Sequence, residues 1–492
     1  MIEKYYSGVI EQIYNRIGKE TRNIVMANYS NDFSIENLEV IRRYQSNEDN
    51  VFFAYSEFSY NTLVGAYEPF LDIICNMHRR FIGGSFDDFQ KECGVYYLHR
   101  QVLNSYYETG ECFREETVLL NEVAYEQRRM TMAIADMLKK LSEVKPLMIV
   151  INRFQMASKS SIETIKYLID NPCANIGIVL GVNAIVKGTD STVEVWDRIV
   201  ESLEDRSAIY YIGSAGPLKN NVKTTNDDEL YITMNFEQSI QEASNIMEFL
   251  DFEQARRGCR IIEHKLKFED AWIDEKSLRR FYMVYARTSV LLGEMSKAIE
   301  LTNEYKALIP ENDSEHYLSL YYFMKGTCYM YQGKLEKAGN SAKSAYDYAV
   351  LAEDDTLIFK AELLSVMIKM SGWYNIFFCV QDIPVSDEII EKLIKHGYRN
   401  HLAHIYIYAY DNSRDVVKQS FYDESLLKHF TKGLELAKEI GNEQLVYDAY
   451  QKTIMLASTS GLNEIAFLYV IRTYEFMKGH GNIYVARVLT SI

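Results

Sequence analysis

The stretch that comes closest to phosphate chemistry follows the apolar run Asn23–Ala27: Asn28-Tyr29-Ser30-Asn31-Asp32-Phe33-Ser34. A phosphate-cradling loop reads G-x-x-x-x-G-K-S/T. Its glycines let backbone N–H groups wrap the phosphates, and its lysine neutralises the β- and γ-phosphates. Laid on that pattern, Ala27 replaces the first glycine, Asp32 the second and Phe33 the lysine, and Ser34 alone survives. An aspartate there repels phosphate. Other candidates are weaker. His401 and His404 share a helix face at i,i+3 spacing, with Asp411 nearby, but a zinc site wants further ligands and no clear set exists. Asp87-Asp88 with Glu92 reads as an acidic helix start. Gly83-Gly84 is a loop break outside any G-x-G-x-x-G, Gly213-Ser214-Ala215-Gly216 lacks the order of a hydrolase elbow, and no His-Glu-x-x-His occurs.

The elements that would position such residues are legible. Short apolar runs at 23–27, 51–55, 147–151 and 176–181 alternate with helical stretches such as 117–143 and 160–170. A fifth run is either 208–212 or 230–234. Each run is continuously apolar, the mark of strands buried on both faces of a parallel sheet. The expected fold is therefore a three-layer α/β domain over residues 1–235, followed by an all-α domain over 236–492.

The segment after strand 147–151, Asn152 through Ile162, resembles the Walker B region of the STAND class of signalling ATPases, relatives of the AAA+ family. Ala66-Tyr67-Glu68-Pro69-Phe70 is similar to that family's Tyr-x-Pro-Phe segment, and the resemblance spans roughly 20–215. It implies a P-loop-NTPase-like sheet. It also implies that two acidic residues should close the third strand, to hold Mg²⁺ and polarise the attacking water. Those positions are Asn152 and Arg153. Asparagine offers an oxygen without charge, and arginine is a fixed cation that opposes Mg²⁺. Asn183 stands where such ATPases carry a polar sensor. Both halves of the site are altered together, so the expectation is a relic nucleotide site that does not hydrolyse ATP, with no cofactor and no metal.

From about residue 236 strand-like runs vanish and amphipathic helices follow one another. Gly326, Tyr329, Gly333, Leu335, Ala338 and Ala345 stand at tetratricopeptide-repeat (TPR) offsets. Gly326 and Ala338 fall where two antiparallel helices touch, so small side chains let the backbones approach. Gly293, Ala298 and Pro310 form a weaker copy, with Pro310 ending a helix. Gly461 and Ala466 suggest another. The expectation is a TPR-like solenoid. The helical pattern runs to Ile492 without a polar cap, so the expectation is either that the end packs on something else or that an output domain once followed.

Composition bounds the partners. The net charge is −16 with no long Lys/Arg run, which argues against direct nucleic-acid binding. Seven scattered cysteines without a CxxC pair read as reduced thiols of a cytoplasmic protein. No apolar run approaches the ~20 residues of a membrane span. The 38 tyrosines fit either core packing or a Tyr-lined groove for a peptide. The leading functional expectation is a non-catalytic signalling scaffold that binds protein or peptide partners through its repeats. Its alternative is a sensor whose relic cleft still takes a nucleotide or metabolite without hydrolysis; a further reading makes the chain the sensor half of a longer diguanylate cyclase or transcription regulator. A third reading is an enzyme of unrecognised kind. Oligomeric state is not legible.

Overall fold

A computed structural model describes residues 2–30, 38–46, 50–59, 63–118, 120, 122–183, 186–187, 192–213, 223–224, 235–268, 273–312, 314–374, 386–408, 424–459 and 461–480. The chain divides into two compact units, one of Met1–Arg114 with Val118–Leu292, the other of Glu115–Thr117 with Gly293–Ile492.

The first unit opens with α1 (Ile2–Arg16), β1 (Ile24–Tyr29), α2 (Glu39–Ser46) and β2 (Phe52–Glu57). Helices α3 (Phe70–Met77), α4 (Phe86–Glu92), α5 (Tyr97–Thr109) and α6 (Val123–Val144) come next. Then follow β3 (Leu147–Asn152), α7 (Lys159–Asp170), β4 (Ile176–Asn183), β5 (Val186–Lys187), α8 (Val193–Glu204), β6 (Ile209–Ile212) and β7 (Lys223–Thr224). Helices α9 (Phe236–Glu248), α10 (Phe252–Phe268) and α11 (Glu275–Leu291) complete it.

Five strands form one sheet in the order β2-β3-β4-β1-β6, with every pairing parallel. The fifth strand is thus Ile209–Ile212, while the competing run 230–234 lies outside the described residues. All positions of β3 and β4 are buried, as their unbroken apolar runs require. On one face, Tyr6, Val9, Ile10 and Ile13 of α1 and Val40 and Ile41 of α2 pack on Val25, Ala27, Met148, Val150 and Val179. The other face, with Met26, Ile149, Ile151, Ile178 and Leu180, is equally closed.

β1 runs to Tyr29, two residues beyond the expected end. Asn28 and Tyr29 extend the ladder opposite Val182 and Asn183 on one side and Tyr211 and Ile212 on the other. The turn to helical structure does fall at Phe236, yet the compact unit continues to Leu292. The reason is polar as well as apolar. Gln254 donates to the Val64 carbonyl (2.9 Å) and Asp251 accepts from the Ser160 amide (3.0 Å). The Phe249 ring meets Tyr67 and Tyr106 edge-on. The boundary expected at 235/236 therefore lies inside a single packed body.

The second unit is a run of helices: α12 (Met295–Ala307), α13 (Ser314–Tyr331), α14 (Leu335–Leu351), α15 (Asp355–Tyr374), α16 (Asp387–Lys395), α17 (Arg399–Tyr408), α18 (Glu424–Glu439), α19 (Glu443–Thr459) and α20 (Asn463–His480). Each packs on its successor, and α13 also reaches α15. Turns between them recur in one form. After α13, Gly333 takes φ 71° and the Lys334 amide returns to the Tyr329 carbonyl at 2.9 Å, the Schellman closure of a helix end. After α14 the same closure is made by Glu353 at φ 52°, with Asp354 N to Ala349 O at 3.2 Å. A side chain in the left-handed region carries a steric cost that glycine avoids. Glu353→Gly is therefore expected to stabilise this unit by about 0.5–1 kcal/mol and Gly333→Ala to weaken it by about 1 kcal/mol, read from urea midpoints of the helical circular-dichroism signal.

Candidate functional site

In the sheet, β1 leads across β4 and β3 to the far strand β2, while β4 leads the opposite way across β1 to β6. Right-handed crossovers in opposite directions place their helices on opposite faces. That arrangement puts a crevice at the carboxyl ends of β1, β3 and β4, where ligands of open parallel sheets bind. The residues there are Tyr29, Asn152 and Asn183.

Side chains of this chain fill the depth of that crevice. The Tyr29 hydroxyl donates to Asn152 Oδ1 at 2.5 Å, and both residues are completely buried. Tyr6, also completely buried, lies edge-on to Tyr29 with ring centroids 6.4 Å apart. Gly181 of β4 makes this convergence possible. A Cβ there would lie 2.5 Å from Tyr6 Oη and 2.8 Å from Asn152 Oδ1. Burial, then the neighbouring Tyr29, Tyr55 and Glu57, push the Tyr6 phenol well above its ordinary pKa, so it stays neutral.

Arg153 takes the left-handed conformation (φ 54°) and turns its guanidinium to the end of β2. There it pairs with Glu57 Oε1 at 3.0 Å and donates to the Phe58 carbonyl at 3.3 Å. Glu57 stands opposite Asn152 in the β2–β3 register and also accepts from the Tyr55 hydroxyl. The carboxylate opposite Asn152 thus comes from a neighbouring strand and is engaged by the arginine. Asn183 is buried, and its backbone N–H donates to Gln155 Oε1 at 3.3 Å. Ala27 is completely buried within β1, opposite Gly181 and Tyr210, and so belongs to the strand and not to the loop. Asp32, Phe33 and Ser34 lie outside the described residues.

A cavity of about 320 Å³ borders this site, with Glu57, Glu68, Asp72 and Glu242 in its wall beside Tyr106 and Phe249. Burial raises the Glu242 carboxyl to about 7, with Glu68 and Asp72 adding repulsion; burial also raises Glu68. Among the described residues, carboxyl groups and no lysine or arginine line this space, which disfavours a nucleoside phosphate. Glu57, Tyr6, Tyr29 and Gln155 were not singled out by sequence. The available signals were a charged residue two places after the second apolar run and a tyrosine two places after the first.

No family model matches the sequence, and no curated protein matches it significantly. Two solved structures are similar in outline. One is a Rap protein complexed with competence and sporulation factor, at 12% identity and TM-score 0.33, covering 83% of this chain and 98% of that one. The other is a signal transduction ATPase with numerous domains (STAND) with a tetratricopeptide repeat sensor from Pyrococcus horikoshii, at 12% identity and TM-score 0.40, covering 95% and 82%. Scores this low do not establish a shared fold.

In the second unit the repeat residues divide between helix contacts and turns. Ala298, Ala338 and Ala345 are completely buried. A Cβ on Gly326 would meet Leu364 at 3.0 Å, Ser341 at 3.4 Å and the Ala338 carbonyl at 3.5 Å, so α13 approaches its neighbours through a side-chain-free position. Gly293 and Gly333 take positive φ at turns with open space around them, and Pro310 follows the end of α12. Tyrosines fill gaps between helices: Tyr322 stacks on Tyr348 (5.6 Å, 4°) and Tyr321 accepts from Lys325 (2.8 Å).

The histidine pair of α17 is occupied. Glu116, from the short segment grouped with this unit, is completely buried. Its Oε1 accepts from the His401 amide at 2.6 Å and lies 2.6 Å from His401 Nδ1; its Oε2 accepts from the Asn400 amide at 3.3 Å. His404 stacks on Tyr408. Asp411 lies outside the described residues. Among the described residues no three His, Cys, Asp or Glu side chains form a metal-holding group, no helix is long and apolar enough to cross a membrane, and six cysteines are unbridged.

Proposed function

We propose that the chain is a non-catalytic binding and regulatory protein: a pseudo-ATPase-like α/β unit joined to TPR-like helical repeats that hold a protein or peptide partner. The observation that carries the first half is the buried Tyr29–Asn152 hydrogen bond at 2.5 Å. It joins two strand ends that, in an NTPase-like sheet, would face phosphate and Mg²⁺, and it engages the side-chain oxygen of Asn152 with a tyrosine of this chain. The Arg153–Glu57 pair supports the same reading, because the carboxylate opposite Asn152 is neutralised by a cation. The second half rests on consecutive helix-on-helix packing through small residues, an architecture that builds extended binding surfaces.

Steady-state phosphate release from millimolar ATP with Mg²⁺ is the test of catalysis. The wild-type chain and Arg153→Ala are both expected to match the buffer blank. Turnover that the wild type shows and Arg153→Ala lacks would end the pseudo-ATPase reading.

A further inference from the structure

A second cavity, of about 220 Å³, opens where β1 and β6 begin, at the opposite ends of the strands from the crevice. Arg16, Glu20, Arg22, Asn23, Arg206 and Tyr210 contribute to its wall. Three arginines face one glutamate there, an excess of positive charge in a chain of net charge −16. Arg16 lies 3.6 Å from Glu20, and Arg206 donates to the Ile169 carbonyl. Arg22 is exposed and has no ion pair or hydrogen bond among the described residues.

Asn23 adds an independent observation. It is completely buried, and its Nδ2 donates to the carbonyls of Glu20 (2.6 Å) and Ala174 (3.2 Å), which fixes the orientation of the amide. Its Oδ1 is buried and has no donor among the described residues. A buried acceptor left unpaired is costly, and native structures seldom keep one without a reason.

We propose that this cavity binds a small oxyanion that also carries an N–H or O–H donor. Guanidinium groups recognise carboxylate and phosphate oxygens through their forked donors. The donor of the ligand would satisfy Asn23 Oδ1. The volume falls below the roughly 300–1,000 Å³ of drug-sized pockets, so the ligand has few heavy atoms. Phosphate monoesters and amino-acid-sized carboxylates share this chemistry.

The test is calorimetric and thermal-shift titration of the full chain with O-phosphoethanolamine, inorganic phosphate and glycine, against sodium chloride at matched ionic strength. O-phosphoethanolamine is expected to raise the unfolding temperature more than phosphate does. Arg22→Glu is expected to weaken its binding at least tenfold while leaving the unfolding temperature without probe unchanged, since Arg22 is exposed and makes no ion pair or hydrogen bond among the described residues. Glycine acting where neither phosphate probe does would keep the site and identify the oxyanion as a carboxylate. If no probe exceeds the salt control, or Arg22→Glu binds as tightly as wild type, the proposal fails. Should Arg22→Glu not fold, Arg22→Gln carries the same comparison.

Discussion

Replacing Glu116 with alanine is expected to lower the stability of the helical unit by about 3 kcal/mol, the range in which removal of one partner from a buried charged contact falls. The carboxylate accepts two backbone amides at the start of α17 and faces the His401 ring. Those amides are among the four that a helix leaves unpaired at its N-terminus, where negative charge is also favoured by the helix dipole. Alanine would strand them with the buried imidazole. The effect should spread, because Asn400 Oδ1 accepts from Asn442 Nδ2 at 2.6 Å and Asn442 Oδ1 in turn accepts the Leu445 amide at 3.0 Å. One polar chain thus links the starts of α17 and α19. Glu116→Gln keeps one acceptor oxygen and is expected to cost less. Urea unfolding followed by helical circular dichroism measures both. A change under about 0.5 kcal/mol for Glu116→Ala would mean that the network does not hold these helix starts.

Glu242→Gln is expected to act in the opposite direction and to do so only above mildly acidic pH. In the folded chain its carboxyl titrates near 7, against an ordinary value of 4.5, because it is largely withdrawn from water and faces Glu68 and Asp72. Between those two values the folded chain keeps a proton that the unfolded chain has released. Stability therefore falls as pH rises through roughly 4.5 to 7 and is level above. Glutamine removes the slope. Above pH 7 it is expected to stabilise the first unit by about 2–3 kcal/mol, and below pH 4.5 by little. Thermal unfolding midpoints across pH 4–8 read this directly. Equal midpoint differences at pH 4.5 and pH 8 would refute the buried-charge account.

The sequence foretold the sheet because parallel strands buried on both faces leave unbroken apolar runs, as in β3 and β4. It could not decide between 208–212 and 230–234, since two short apolar runs look alike without their partners. It ended β1 too early because Asn28 and Tyr29 are polar, and polarity at a strand end reads as loop. Only the pairing partners Asn183 and Ile212 show otherwise. Asn152 and Arg153 were picked out through the resemblance of the segment after the third apolar run. Their fates were not legible, because Tyr29 and Glu57 reach them from other strands. Glu116 was invisible for the same reason. Its partners Asn400 and His401 lie 284 and 285 residues further along the chain.

The measurement closest to the central claim is calorimetric titration of the full chain with ATP and ADP, with and without Mg²⁺, paired with thermal unfolding. With the ends of β1 and β3 closed by the Tyr29–Asn152 hydrogen bond and Arg153 held by Glu57, no saturable heat and no rise in unfolding temperature are expected at millimolar nucleotide. Saturable Mg²⁺-dependent binding, with the ~2.7 kcal/mol of stabilisation that a ligand gives at one hundred times its dissociation constant, would contradict the account.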